Sequence, residues 1–314
     1  MSTYEGIWVP LVTPFKQGKI DFDTAQQLAI RLMASGVHGL VVCGTTGEAA
    51  TLNENEQSLL LAAILEVTAG SCPVLMGISG SDTQVLTEKV MRFSHQAQTG
   101  FLVSAPSYVR PSQEGIRQHF EALARATEKA IVLYNIPART GVNIDLGTVI
   151  ALQQQRNIVA IKECGGTLTQ IRGLINCTHL QVMCGDDAML FDALCVGGHA
   201  AISAAAHVRP DLFVHLYELM HTGHTREAGA LFNQLLPLIQ LLFSESNPAP
   251  LKAALAMQGQ LREELRLPMT PMSAEGKTRL AREQEKVMAI PVPHKLPGTL
   301  SLVKNKLGSY ALEK

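Results

Sequence analysis

Short apolar runs rich in β-branched residues recur through the first two thirds of the chain, and a longer stretch with helical spacing follows each of them. The runs occupy residues 7–12, 40–43, 74–76, 101–103, 131–133, 158–161, 181–183 and 200–202. Near-continuous apolar character over so few residues predicts strands buried on both faces. Between them, residues 23–35, 54–69, 83–98, 113–128, 145–155 and 187–195 place apolar side chains three and four apart, and several of these segments begin on Asn, Asp or Thr, which cap helix N-termini. Regular alternation of this kind predicts a parallel sheet. Eight units before residue 203, with no G-x-G-x-x-G after the first run, predict an α/β fold of the (β/α)8 TIM-barrel type rather than an open doubly wound sheet.

After Ser203 the alternation stops. Helical patterns follow at 210–220, 225–243 and 248–258, and Leu267-Pro268-Met269-Thr270-Pro271 makes a rigid break. The expected organisation is a barrel over residues 1–223, a C-terminal α-helical extension over 224–286, and an extended or poorly ordered tail over 287–314, where Pro291, Pro293, Pro297 and Gly298 interrupt any regular pattern.

Composition narrows the function classes. The 314 residues are 46% hydrophobic and 17% charged, with a formal net charge of -1, enough apolar content for a substantial core. A near-neutral balance without a Lys/Arg-rich block gives no electrostatic footprint for nucleic acid or an anionic membrane. No apolar stretch reaches bilayer length, and Met1-Ser2-Thr3-Tyr4-Glu5 lacks the features of a signal peptide, so the cytoplasm is the expected compartment. Six cysteines without a C-x-x-C pair predict free thiols, and the ten histidines form no metal-ligand pattern. Asp186-Asp187 is expected to cap the next helix rather than bind metal, and the glycine-rich segment 77–81 lacks the Lys-Ser/Thr of a P-loop. No metal and no cofactor are expected.

The chemistry gathers at predicted strand ends. Lys162 closes the run 158–161 and is followed by Glu163-Cys164-Gly165-Gly166. An ammonium there either snorkels to water or sits in a cavity, where desolvation lowers its pKa toward amine reactivity and makes it a Schiff-base nucleophile. Two other runs lead into Gly44-Thr45-Thr46-Gly47-Glu48 and Tyr134-Asn135-Ile136-Pro137-Ala138-Arg139-Thr140. In a (β/α)8 barrel the active site lies at the C-terminal ends of the strands, where Thr45, Thr46, Tyr108, Tyr134, Arg139, Lys162 and Gly185 all fall. Singly each has a plainer reading: a half-buried strand aromatic for Tyr134, turn formers for Thr45 and Thr46, a surface ion pair for Arg139. Together with Lys162 they point to one site. Glu163, next along the strand, is expected to face the other side.

These segments, in this order and with Gly185-Asp186-Asp187, resemble the dihydrodipicolinate synthase / N-acetylneuraminate lyase family over residues 5–275. The resemblance implies a class I pyruvate-dependent aldolase, typically a homotetramer built as a dimer of dimers, with no cofactor beyond a Schiff base between pyruvate and Lys162. Arg139 resembles the arginine that binds the carboxylate of L-aspartate 4-semialdehyde in family members on the route to lysine. Residues 105–115 resemble a loop whose tyrosine, here Tyr108, reaches across a dimer interface. The implied roles are attack by Lys162, proton transfer by Tyr134 through Thr45 and Tyr108, and pyruvate binding by Thr46, the 44–48 backbone and the Ile202 carbonyl, with Gly185 leaving room. Departures sit at Glu54, Gln57, Ser81, Val85 and Ser107, where lysine-inhibited members carry other side chains, so weak or absent inhibition by L-lysine is expected. Trp8 and Cys164-Gly165-Gly166 also depart and leave open a pyruvate aldolase or dehydratase acting on another aldehyde or a 2-keto-3-deoxy sugar acid. A non-catalytic keto-acid-binding scaffold is disfavoured by the intact Thr45, Tyr108, Tyr134 and Lys162.

Overall fold

The computed structural model describes residues 4–292. Eight parallel strands close into a barrel: β1 (Gly6–Pro10), β4 (Gly39–Val42), β5 (Val74–Ile78), β6 (Gly100–Ser104), β7 (Ala130–Asn135), β8 (Ile158–Glu163), β9 (Gln181–Cys184) and β10 (Ala200–Ile202). Each pairs with the next in chain order, and β10 returns to β1 with Ile202 opposite Trp8. The eight expected runs are the eight barrel strands. A hairpin of β2 (Phe15–Lys16) and β3 (Lys19–Ile20) had no signature in the sequence, because two residues per strand are too few to show a period.

The helices of the barrel are α1 (Phe22–Ala34), α2 (Glu54–Thr68), α3 (Thr83–Phe93), α4 (Gln113–Arg125), the single turn α5 (Pro137–Thr140), α6 (Leu146–Leu152), α7 (Leu168–Cys177), α8 (Leu190–Cys195) and α9 (Pro210–His221). Beyond them lie α10 (Thr225–Leu242), α11 (Ala249–Met257) and α12 (Ala274–Met288). Their starts follow local chemistry. At α2 the Asn53 side chain accepts from the Glu56 N–H at 2.9 Å while Glu56 accepts from the Asn53 N–H at 3.0 Å, a reciprocal cap.

The sequence pattern missed α7 and α12 for the same reason: each buries few apolar side chains. Ile171 and Leu174 are the buried residues of α7; Leu280, Gln284 and Val287 are those of α12. α12 also runs two residues into the stretch read as a tail, while residues 293–314 of that stretch lie outside the described residues. Among the described residues no helix is long and apolar enough to cross a membrane.

Two apolar layers result from the strand period of two. One face of each strand packs under the helices; the other fills the barrel with side chains such as Val41, Leu75, Leu102, Val132, Ala160 and Met183. Trp8 belongs to the inner set, stacked on Tyr4 with centroids 5.5 Å apart, and its Nε1 donates to the Glu5 carbonyl at 3.0 Å. It therefore points back to the residues that precede β1. Burying a side chain of this size contributes about 2–3 kcal/mol or more. Trp8 does not line the cleft described next.

Candidate active site

On β7 and β8, Tyr134 and Lys162 are direct partners in register, one step above the inward-facing pair Val132 and Ala160. Period-two alternation thus places both at the upper inner rim of the barrel. Lys162 is 7% exposed, and its Nζ stands 4.4 Å from the centroid of the Tyr134 ring. Thr45 and the Lys162 ammonium both bear on the Tyr134 hydroxyl and favour its ionised form. Just past the end of the next strand a Cβ at Gly185 would stand 2.6 Å from Lys162 Cε and closer still to Cys164 Sγ, so any larger residue would displace the lysine or its neighbour. Above this group opens a cleft of about 270 Å³ whose lining includes Thr45, Ser79, Ser104, Tyr134, Arg139 and Asn247.

Arg139 is exposed at the mouth, and among the described residues its side chain takes part in no ion pair, so the surface-pair reading finds no partner. Thr46 is 4% exposed and sits beside the cleft, its Oγ1 accepting from Asn247 Nδ2 at 3.0 Å. Ile202 closes β10 with its side chain in the barrel interior. Tyr108 stands apart. It is 92% exposed, has a left-handed backbone (φ 70°) and does not line the cleft of its own chain.

Glu163 turns outward and is buried; it accepts from Asn135 Nδ2 at 2.9 and 3.0 Å and from Gln170 Nε2 at 3.1 Å. Pinning Asn135 and Glu163 locks the ends of β7 and β8 from behind, just beside Tyr134 and Lys162. The position of the reactive pair is thus set from outside the barrel.

Electrostatics correct one expectation. Burial pulls the Lys162 ammonium down, as the sequence implied, but the Tyr134 oxygen, Cys164 sulfur and Asp187 carboxylate act against it and hold the group above the ordinary lysine range. Before it meets a substrate Lys162 therefore rests as a cation. Burial in turn pushes the Tyr134 phenol up, so at neutral pH it is a proton donor, and pushes the Cys164 thiol up to about 12, which leaves it inert. Below the lysine pKa the free-amine fraction grows about tenfold per pH unit. Trapping of a keto acid on Lys162 with cyanoborohydride is therefore expected to accelerate steadily between about pH 6 and 9. A plateau near neutrality would contradict a raised pKa.

The second correction concerns Asp186-Asp187. Asp186 caps the short turn that follows, accepting from the Ala188 N–H at 3.1 Å. Asp187 instead turns inward, where it accepts from Ser203 Oγ and from the Ala204 and Ala205 N–H groups at 3.2 and 3.4 Å. Burial raises its pKa to about 6. It anchors the segment just after Ile202 and supplies a negative charge that reaches Lys162.

The dihydrodipicolinate synthetase family model matches residues 3–286 of this sequence. The chain belongs to that family. A 4-hydroxy-tetrahydrodipicolinate synthase from Syntrophobacter fumaroxidans is 40% identical over 283 residues, which cover 89% of this chain and 97% of the relative. One from Magnetococcus marinus is 37% identical over 90% of this chain and 98% of its own. The solved structure of dihydrodipicolinate synthase from Thermotoga maritima superposes with a TM-score of 0.89 at 34% identity, covering 91% of this chain and 99% of that one.

Within this dihydrodipicolinate synthetase family member the sequence reading had missed Asn247 and Asp187 as parts of the site. Asn247 was hidden because Ser246-Asn247-Pro248 reads only as the approach to a helix. Asp187 was hidden because its partners come from a distant segment.

Proposed function

We propose that the chain is a 4-hydroxy-tetrahydrodipicolinate synthase that condenses pyruvate with L-aspartate 4-semialdehyde through a Schiff base on Lys162. The arrangement that carries this reading is a buried lysine under a neutral phenol, with an unpaired guanidinium at the mouth of the same cleft.

The steps follow from these groups. Once deprotonated, Lys162 Nζ adds to the keto carbon of pyruvate. Tyr134 protonates the departing hydroxyl, water leaves, and an iminium forms. The iminium draws electrons from the adjacent methyl, which loses a proton to give an enamine. The enamine carbon attacks the aldehyde, whose oxygen takes up a proton from Tyr134, and the second substrate's own amine then displaces Lys162 as the ring closes. Tyr134 thus works as acid and base in turn, passing protons through Thr45. The carboxylate of pyruvate is held by Thr46 and the backbone N–H groups of Thr45 and Thr46, since those of Gly47 and Glu48 close the turn on the Gly44 and Thr45 carbonyls, and the Ile202 carbonyl faces its other end. Arg139 binds the carboxylate of the aldehyde substrate.

Tyr108 joins this relay from a second copy of the chain. The loop that carries it exposes Tyr108 and Val109, 92% and 55%, to the outside of its own chain. The assembly proposed is a homotetramer in which pairs of subunits exchange Tyr108. No resident cofactor takes part.

Insensitivity to L-lysine is also proposed. Val85 presents no carboxylate, Ser81 Oγ is committed to the Ser107 carbonyl at 2.7 Å, and Glu54 is engaged by Arg92 at 2.5 and 2.9 Å. Gln57 donates to the Ala49 and Leu52 carbonyls. Among these five positions no free carboxylate remains to hold an ammonium. Millimolar L-lysine is expected to leave the initial rate unchanged, and half-inhibition below a millimolar would overturn this.

The test of the function is turnover of pyruvate and L-aspartate 4-semialdehyde coupled to the next reductase of the route. Arg139→Ala is expected to raise the KM for the aldehyde about a hundredfold, the loss of a charge-assisted pair, with the KM for pyruvate nearly unchanged. Condensation with a neutral sugar-derived aldehyde that survives Arg139→Ala would favour the sugar-acid aldolase reading instead.

A further inference from the structure

The turn that bears Thr45 and Thr46 is strained, and much of what holds it comes from the helical extension. Cys43 and Glu48, which bracket it, have φ of 55° and 54°. Non-glycine residues persist in that left-handed region only where their surroundings over-determine them. Three contacts do so from beyond the barrel. Asn247 donates to Thr46 Oγ1 at 3.0 Å, the Arg266 backbone N–H donates to Glu48 Oε2 at 3.2 Å, and Lys252 Nζ pairs with Glu48 Oε1.

Lys252 is the unusual member. It lies within α11, is fully buried, sits 4.2 Å over the Phe15 ring and donates to the Glu264 carbonyl at 2.8 Å. The Glu48 side chain is 1% exposed, yet Glu48 belongs to the wall of the cleft. A buried ion pair of this kind stabilises a fold no better than apolar residues of the same size, so fold stability alone does not account for it. Its position supplies a reason. Glu48 without its lysine would put an uncompensated negative charge two residues from the threonine that faces a substrate carboxylate.

We infer that Lys252 is a positioning residue for keto-acid capture: acting through Glu48, it fixes the 44–48 turn and neutralises the carboxylate beside it, so that Thr45, Thr46 and the backbone N–H groups meet the pyruvate carboxylate in place. The inference rests on reading that turn as the pyruvate seat. It also gives the helical extension a function, since α11 and the segment leading into it grip the turn at Thr46 and Glu48 together.

The experiment compares the full-length wild type with Lys252→Met and with the double variant Glu48→Gln, Lys252→Met, reading separate KM values for pyruvate and the aldehyde and the rate of cyanoborohydride trapping of pyruvate. KM does not depend on the fraction of folded protein, so simple destabilisation does not mimic the expected result. Both variants should show a pyruvate KM raised about tenfold or more, the scale expected for a small misplacement of binding groups, with slower trapping and an aldehyde KM within about twofold of wild type. If Lys252→Met fails to accumulate as folded protein, the double variant, which leaves no unpaired buried charge, decides the matter. A wild-type pyruvate KM in the folded double variant would overturn the inference, as would an equal rise for both substrates. Failure of the wild type to trap pyruvate at all would instead sink the reading of the site on which it rests.

Discussion

Lys162→Ala is expected to abolish condensation, lowering kcat by about five orders of magnitude or more, and to abolish trapping of pyruvate by cyanoborohydride, read as loss of the adduct mass on the intact protein. The size of the effect follows from the absence of a substitute. Tyr134 and Thr45 present oxygen, the Cys164 thiol is pushed up to about 12, and Gly185 has no side chain, so no second nitrogen nucleophile reaches the same point. The fold should survive. Removing the ammonium removes a desolvated charge, and Asp187, which loses that charge as one cause lowering its pKa, answers by taking up a proton rather than by staying ionised and unpaired. The melting temperature should therefore stay within a few degrees of wild type or rise, as is common when a functional charge is deleted. Residual turnover within a hundredfold of wild type in the folded variant would exclude Lys162 as the nucleophile.

How much of this was legible in the sequence depends on the length over which each signal is written. The barrel strands are near-continuous apolar runs separated by helices, and the eight expected runs coincide with the eight strands of the barrel. Lys162, Tyr134 and Thr45 could be singled out because polar groups at the ends of apolar strands have few structural reasons to be there, and the residues that follow them mark where each strand stops. What escaped was set by contacts between distant segments. The pKa of Lys162 is such a quantity: its own neighbours in sequence dictate desolvation, but the opposing charges come from Tyr134 on one adjacent strand and Asp187 beyond another. Asp187 reads locally as a helix cap and is recruited instead by Ser203 and the two N–H groups after it. Lys252 was hidden in the same way, as one lysine in an apolar helix whose partner lies about 200 residues earlier. The hairpin of β2 and β3 and the sparsely buried α7 and α12 were missed for want of a period long or apolar enough to register.

Tyr134→Phe is expected to lower kcat by about two to four orders of magnitude while the KM for pyruvate changes little, the range associated with removing a positioned proton carrier. The substitution deletes one oxygen and keeps the ring against which Lys162 Nζ rests at 4.4 Å, so the lysine remains supported. What disappears is the acid that helps hydroxide leave as the iminium forms and that meets the aldehyde oxygen as the new carbon–carbon bond closes. Because burial pushes the phenol up, it is protonated across the working range and its loss is felt at every pH, unlike the loss of a group that titrates near neutrality. The Lys162 ammonium should move too, since the phenol oxygen is the first of the groups that oppose desolvation there. With that oxygen gone, desolvation gains ground and the lysine pKa falls, so the pH at which pyruvate trapping levels off should move down in Tyr134→Phe relative to wild type, while trapping below it is slowed by loss of the acid. The two signs together separate proton transfer from mere support of the lysine: a loss of packing alone would slow trapping without moving its pH profile, and a kcat within threefold of wild type would remove Tyr134 from the chemistry altogether.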